Sequence, residues 1–160
     1  MNSAPQHIAT APTYSLVGNV YAILLSGEQT GGAFSLAHGI APPGGGPPWH
    51  THTRDDETFI VLEGELTIRF EDKVIRASAG GSVFLPKGRP HTFANESDRV
   101  ARFFVLTTPG GWDRMVEKVG TPLPPGSTQS LPVTQDEVMR LMQVCGEFGL
   151  VLHLERDRGR

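Results

Sequence analysis

Short apolar runs, each ended by glycine or proline within about ten residues, constrain this chain more than any other feature of its sequence. Among 160 residues there are 19 glycines and 13 prolines, too frequent a punctuation for long helices. Between them the runs alternate. Phe34, Leu36, His38 and Ile40 fall on one face of an extended segment, as do Glu57, Phe59 and Val61, and then Leu66, Ile68 and Phe70. Leu16 to Leu25 (LVGNVYAILL) reads as a single strand, Glu63-Gly64 as a hairpin turn and Glu71-Asp72-Lys73 as a second turn. About eight or nine such strands over residues 14–108 predict an all-β sandwich or barrel of antiparallel strands.

The two ends differ from this middle. Residues 1–13 are small, polar and interrupted by proline, and read as a flexible N-terminal arm. Residues 109–160 read as a C-terminal helical extension packing on the barrel. A short helix ends at Gly120, a Pro-rich connector follows, and Thr134 opens a second helix. Thr134 and Glu137 have capping-box spacing, with Val133 and Val138 placed as a hydrophobic staple. Val138, Leu141, Met142, Cys145 and Phe148 form the expected apolar stripe.

A net charge of −3 gives no basic footprint, so nucleic acid is not an expected partner. No window reaches the ~20 apolar residues of a membrane span. The N-terminal stretch has neither a charged n-region nor an apolar h-region, and Cys145 has no partner for a disulfide, so a cytoplasmic location is expected. GGSVFLPKG lacks a phosphate-cradling pattern, and no serine sits in a nucleophile elbow.

Two stretches marked by glycine and proline carry the chemistry. In GGGPPWHTHTRDDETFIVLEG, residues 44–64, His50 and His52 share one strand face and Glu57 opens the next apolar run. Trp49 is out of phase with His50 and is expected to face away from them. Asp55 and Asp56 read as a solvated turn. A further histidine, His91, lies in the second stretch. Neutral imidazole and carboxylate suit one divalent transition metal: iron, nickel, manganese, cobalt, copper or zinc.

The spacing of the two stretches resembles the two cupin motifs at every specified position. Five residues separate Gly44 from His50-Thr51-His52; four more precede Glu57, and six precede Gly64. Five residues separate Gly80 from Pro86; Lys87, Gly88, two residues, His91, three residues and Asn95 follow. The resemblance implies the cupin double-stranded β-helix, a jelly-roll barrel, with metal ligation by His50, His52, Glu57 and His91. A small barrel with intact ligands and a helical C-terminal segment looks most like the quercetin 2,3-dioxygenase-like group. That likeness implies a small enolic or aromatic substrate, dioxygen as co-substrate, and Glu57 as ligand and catalytic base. Phe59, Val61 and Phe93, in phase with Glu57 and His91, are expected to line an apolar substrate pocket, to which His38 is also assigned. The alternatives are a metal-dependent isomerase, cyclase or lyase that uses no dioxygen, and a non-catalytic small-ligand-binding cupin. Cupin barrels commonly pair, so the resemblance also implies a homodimer, with the arm before Tyr14 available for exchange.

Overall fold

The computed structural model describes residues 5–159. In chain order it forms β1 (Thr13–Leu16), β2 (Asn19–Leu25), β3 (Ser35–Ala41), β4 (His50–His52) and β5 (Asp56–Glu63). There follow β6 (Glu65–Phe70), β7 (Lys73–Ser78), β8 (Ser82–Leu85), β9 (His91–Ala94) and β10 (Ala101–Thr108). The extension adds α1 (Trp112–Val119), β11 (Thr121–Leu123), α2 (Gln135–Val144), a 3-10 turn (Cys145–Phe148) and β12 (Leu150–Leu152). All pairings are antiparallel, in a seven-stranded sheet ordered β11-β1-β2-β3-β10-β5-β8 and a five-stranded sheet ordered β12-β4-β9-β6-β7.

The alternation that marks the strands in the sequence is the alternation of burial. On β5, Glu57, Phe59 and Val61 are buried while Ile60 and Leu62 are exposed. On β10, Ala101, Phe103, Val105 and Thr107 face inward. Between the sheets the rings of Phe59, Phe93 and Phe103 meet at centroid distances of 5.1, 5.6 and 5.4 Å. Each such ring contributes about 1.5–3 kcal/mol by leaving water. Gly39 lies directly under Phe103, where a side chain would collide with the ring.

Three expectations about connections give way to the structure. Leu16 to Leu25 is two strands rather than one. Val17 and Gly18 both have positive φ, 43° and 77°, and together make the tight turn of the β1–β2 hairpin. A valine is disfavoured there, which is why the sequence conceals the turn. Glu63-Gly64 is not a hairpin, because β5 and β6 belong to different sheets. Gly64 (φ 74°) instead turns the chain from one sheet to the other, and a Cβ on it would lie 2.7 Å from the Val100 carbonyl oxygen. The extension is also more than helical: β11 joins β1 and β12 joins β4, so it adds a strand to each sheet.

The N-cap of α2 departs from the expected box. The Thr134 hydroxyl accepts from the Glu137 N–H at 3.2 Å, but the Glu137 carboxylate does not reach back. It accepts from the backbone N–H of Val17 at 3.1 Å, tying α2 to the β1–β2 turn. The inward stripe carries Leu141, Val144, Cys145 and Phe148, whereas Met142 is 52% exposed. At the other end, Ala11 is fully buried against Ala22 and Leu24; residues 1–4 of the expected arm lie outside the described residues.

Candidate metal centre

β4 delivers His50 and His52 to the barrel interior, β5 delivers Glu57 and β9 delivers His91. His50 and His91 are direct cross-strand partners. The Pro/Gly stretch before β4 is a lip packed on β9: Gly44 N–H donates to the Asn95 carbonyl at 2.8 Å, and Asn95 N–H donates to Gly45 at 2.9 Å. The Asn95 carboxamide also donates to the Ala41 carbonyl at 2.8 Å, which gives this motif residue a structural task. Gly88 N–H donates to the His52 carbonyl at 2.7 Å and fixes the far end of β4.

Each histidine has its Nδ1 engaged outside the site. Nδ1 of His50 donates to the Pro48 carbonyl at 2.9 Å, and Nδ1 of His91 donates to the Arg89 carbonyl at 3.0 Å. A carbonyl only accepts, so Nδ1 carries a proton and Nε2 of each ring faces the cluster. Nδ1 of His52 meets the Asp55 carboxylate at 2.7 Å. Asp55 is therefore no solvated turn residue; it is 6% exposed and orients a candidate ligand. Its offset of three residues from His52 was the available signal. Asp56 instead accepts from the Lys87 N–H at 2.9 Å.

One ligand atom from each of His50, His52, Glu57 and His91 lies within 4.8 Å of every other, and all four residues are buried. Nε2 of His91 is 3.0 Å from Glu57 Oε2, and Nε2 of His52 is 3.8 Å from Glu57 Oε1. At metal–ligand bonds of about 2.1 Å, donor atoms stand about 3.0 Å apart at right angles and about 4.2 Å when opposite. The His91–Glu57 separation equals the right-angle value and the His52–Glu57 separation falls between the two. Nε2 of His52 is buried and without a hydrogen-bond partner, and the four electron-rich atoms crowd one point. The chemistry of this donor set fits a divalent metal.

The protonation of His50 and Glu57 suits the same role, while His52 is shifted the other way. Burial, and then the His91 and His52 rings, push the His50 pKa down to about 3, leaving a neutral imidazole at pH 7. Burial alone would raise Glu57, but His52, His91 and His50 outweigh it and lower its pKa to about 2. Burial likewise opposes the charged form of His52, yet the Glu57 and Asp55 carboxylates prevail and raise it. Neutral imidazole and ionised carboxylate are the forms that bind metal.

Beside His50 and Glu57 lies a cavity of about 40 Å³. Of the expected pocket residues, Phe93 lines it, whereas Phe59 and Val61 lie deeper in the aromatic core. His38 does not belong there. It is in register with Phe104 and Ala22, on the outer face of the seven-stranded sheet, where its ring meets Phe104 edge-on at 6.0 Å. Trp49 is likewise outside the cavity wall, its ring covered by the Arg156 guanidinium at 5.1 Å. Sequence reasoning missed the walls contributed by Tyr21 and by the extension: Trp112 and Met115 of α1, Leu141 of α2, and Leu150 and Leu152 of β12. Tyr21 was in phase with Ile23 on a visible strand. The extension residues gave no signal, because only the docking of the extension brings them to the barrel mouth.

Residues 38–107 match the family model described as the cupin domain. The barrel has the cupin double-stranded β-helix fold. All four candidate ligands fall inside the matched stretch. Protein YdbB of Bacillus subtilis is similar, at 52% identity over 44 residues, 27% of this chain and 39% of that protein. So is the tetracenomycin polyketide synthase protein TcmJ of Streptomyces glaucescens, at 24% identity over 63% of this chain and 68% of that protein. The chain spans less than half the length of the first curated relatives it matches. Among solved structures, a predicted oxalate decarboxylase from Thermotoga maritima superposes with a TM-score of 0.59. The superposition covers 66% of this chain and 98% of that one at 24% identity, a likeness of fold. Among the described residues, no helix is long and apolar enough to cross a membrane.

Proposed function

We propose that this cupin is a metal-dependent dioxygenase of the quercetinase-like kind, acting on a small enolic or aromatic metabolite. The observation that carries the reading is the convergence of four ligand atoms within 4.8 Å on a buried point beside an apolar cavity. A bound divalent metal would supply Lewis-acid activation of oxygen donors and a place for dioxygen. His50, His52 and His91 would hold it through Nε2. Glu57, ionised and on the cavity wall, would accept the proton of a substrate hydroxyl. The mostly apolar walls leave few partners for competing water beside the reacting end.

A second reading is a metal-dependent isomerase, cyclase or lyase that needs no dioxygen. Its support is that the same ligand set serves Lewis-acid catalysis without oxygen. Oxygen uptake separates the two. Protein loaded in turn with iron, nickel, cobalt and manganese is given small enols such as acetylacetone, with and without air. Oxygen consumed in step with enol loss supports the dioxygenase. Turnover unchanged under nitrogen transfers the proposal to the second reading, and enol binding without turnover reduces the protein to a ligand-binding cupin.

A further inference from the structure

We infer that the substrate is a compact molecule with one metal-chelating polar end and an uncharged apolar body, and that the C-terminal extension sets its size. The inference rests on the metal reading above and adds the class of molecule the centre accepts. The cavity places His50 and Glu57 at one end, and the Tyr21 side chain is the other titratable group on its wall. Among the described residues no lysine or arginine lines it. An anionic tail would therefore be buried next to the Glu57 carboxylate with no counter-ion beyond the metal, an arrangement that binding does not tolerate. Arg54 and Arg114 line a separate hollow on the other side of Trp112. Phosphorylated sugars and dicarboxylates are accordingly excluded, although barrels of this fold are known by such names.

The apolar end is built by the extension. Met115 and Leu141 are 3% and 4% exposed and close the cavity opposite the barrel strands. Leu150 and Leu152 pair in register with His52 and His50, so this wall is held at a fixed offset from two ligands by backbone hydrogen bonds. Trp112 stands edge-on to Tyr21 at 5.2 Å and locks α1 against β2. With about 40 Å³ free, a short aliphatic tail fits and a phenyl ring does not, unless one of these side chains is shortened.

The test uses the full chain loaded with cobalt, titrated with hydroxamates that share one chelating head and followed by visible absorption. From acetohydroxamate to butyrohydroxamate, binding is expected to tighten about fourfold for each added methylene. Phosphonoacetohydroxamate is expected to bind about tenfold or more weakly than acetohydroxamate. Leu141→Ala and, separately, Met115→Ala should improve benzohydroxamate about tenfold relative to acetohydroxamate by opening the wall. Tail length without effect, a phosphonate that binds as well as the methyl compound, or a wild-type ratio in both variants would overturn the inference. Cobalt content that is the same in wild type and His91→Ala would defeat the metal reading itself, before any hydroxamate is added.

Discussion

Nδ1 of His52 lies 2.7 Å from Oδ2 of Asp55, and Nε2 of the same ring lies 3.8 Å from Oε1 of Glu57. One imidazole thus links a ligating carboxylate to a supporting one, with all three groups buried. The Asp55 carboxylate fixes which nitrogen carries the proton and which way the ring points.

Removing that support should weaken metal binding without removing a ligand. Asp55→Asn is expected to lower metal affinity about 10- to 100-fold, measured by competition against a colorimetric chelator. Affinity equal to wild type would show that Asp55 is only packing.

Acid should unfold the metal-free protein from the site outward. Glu57 is lowered from 4.5 to about 2, so its contribution is present above pH 4.5 and is lost as pH falls toward 2. His50, lowered from 6.5 to about 3, contributes in the same sense: stability is lost as pH falls below 6.5. His52 is raised, so its contribution is complete below 6.5 and offsets that of His50 there. The net expectation is a fall in stability that sets in below about pH 4.5, followed by denaturant titration across that range. Glu57→Gln should flatten it.

The double-stranded architecture and the four residues that converge in it were legible in the sequence, because strand alternation and motif spacing are local patterns. The outer position of His38 was not. Its apolar neighbours Leu36 and Ile40 said which residues share a face, but only the register with Phe104 says which face looks at the metal. The strand break at Val17 was hidden by a β-branched residue in a conformation that usually belongs to glycine or asparagine. Asp55 was hidden for a different reason: a carboxylate run looks solvated until a neighbouring strand buries one member. The walls drawn from Met115, Leu141 and Leu150 depend on contacts across the whole chain length, which no local pattern encodes.

The latch between α2 and the β1–β2 turn should be worth a measurable share of stability. Glu137→Ala leaves the Val17 N–H without its acceptor and is expected to cost about 1–3 kcal/mol in denaturant unfolding. Thr134→Ala, which removes only the N-cap hydroxyl, is expected to cost about 1 kcal/mol. A larger loss from Thr134→Ala than from Glu137→Ala would contradict this ordering.

At the corner between the sheets, Gly64→Ala meets two penalties at once. A residue with a Cβ is disfavoured at φ 74°, and that Cβ would press on the Val100 carbonyl. A loss of at least about 1–2 kcal/mol is expected from the conformation alone. Gly80→Ala is the comparison, since φ is 87° there but nothing lies within 4 Å of the new atom. Equal losses in the two variants would mean that the Val100 contact relaxes freely.

The central claim is the four-residue metal centre, and metal content tests it most directly. Protein purified without added metal is analysed for elemental composition, alongside His50→Ala and His91→Ala variants checked for native fold. The expected result is one divalent transition-metal ion per chain in the wild type and loss of that ion from both variants. Variants that fold and keep the full metal content of the wild type would contradict the account.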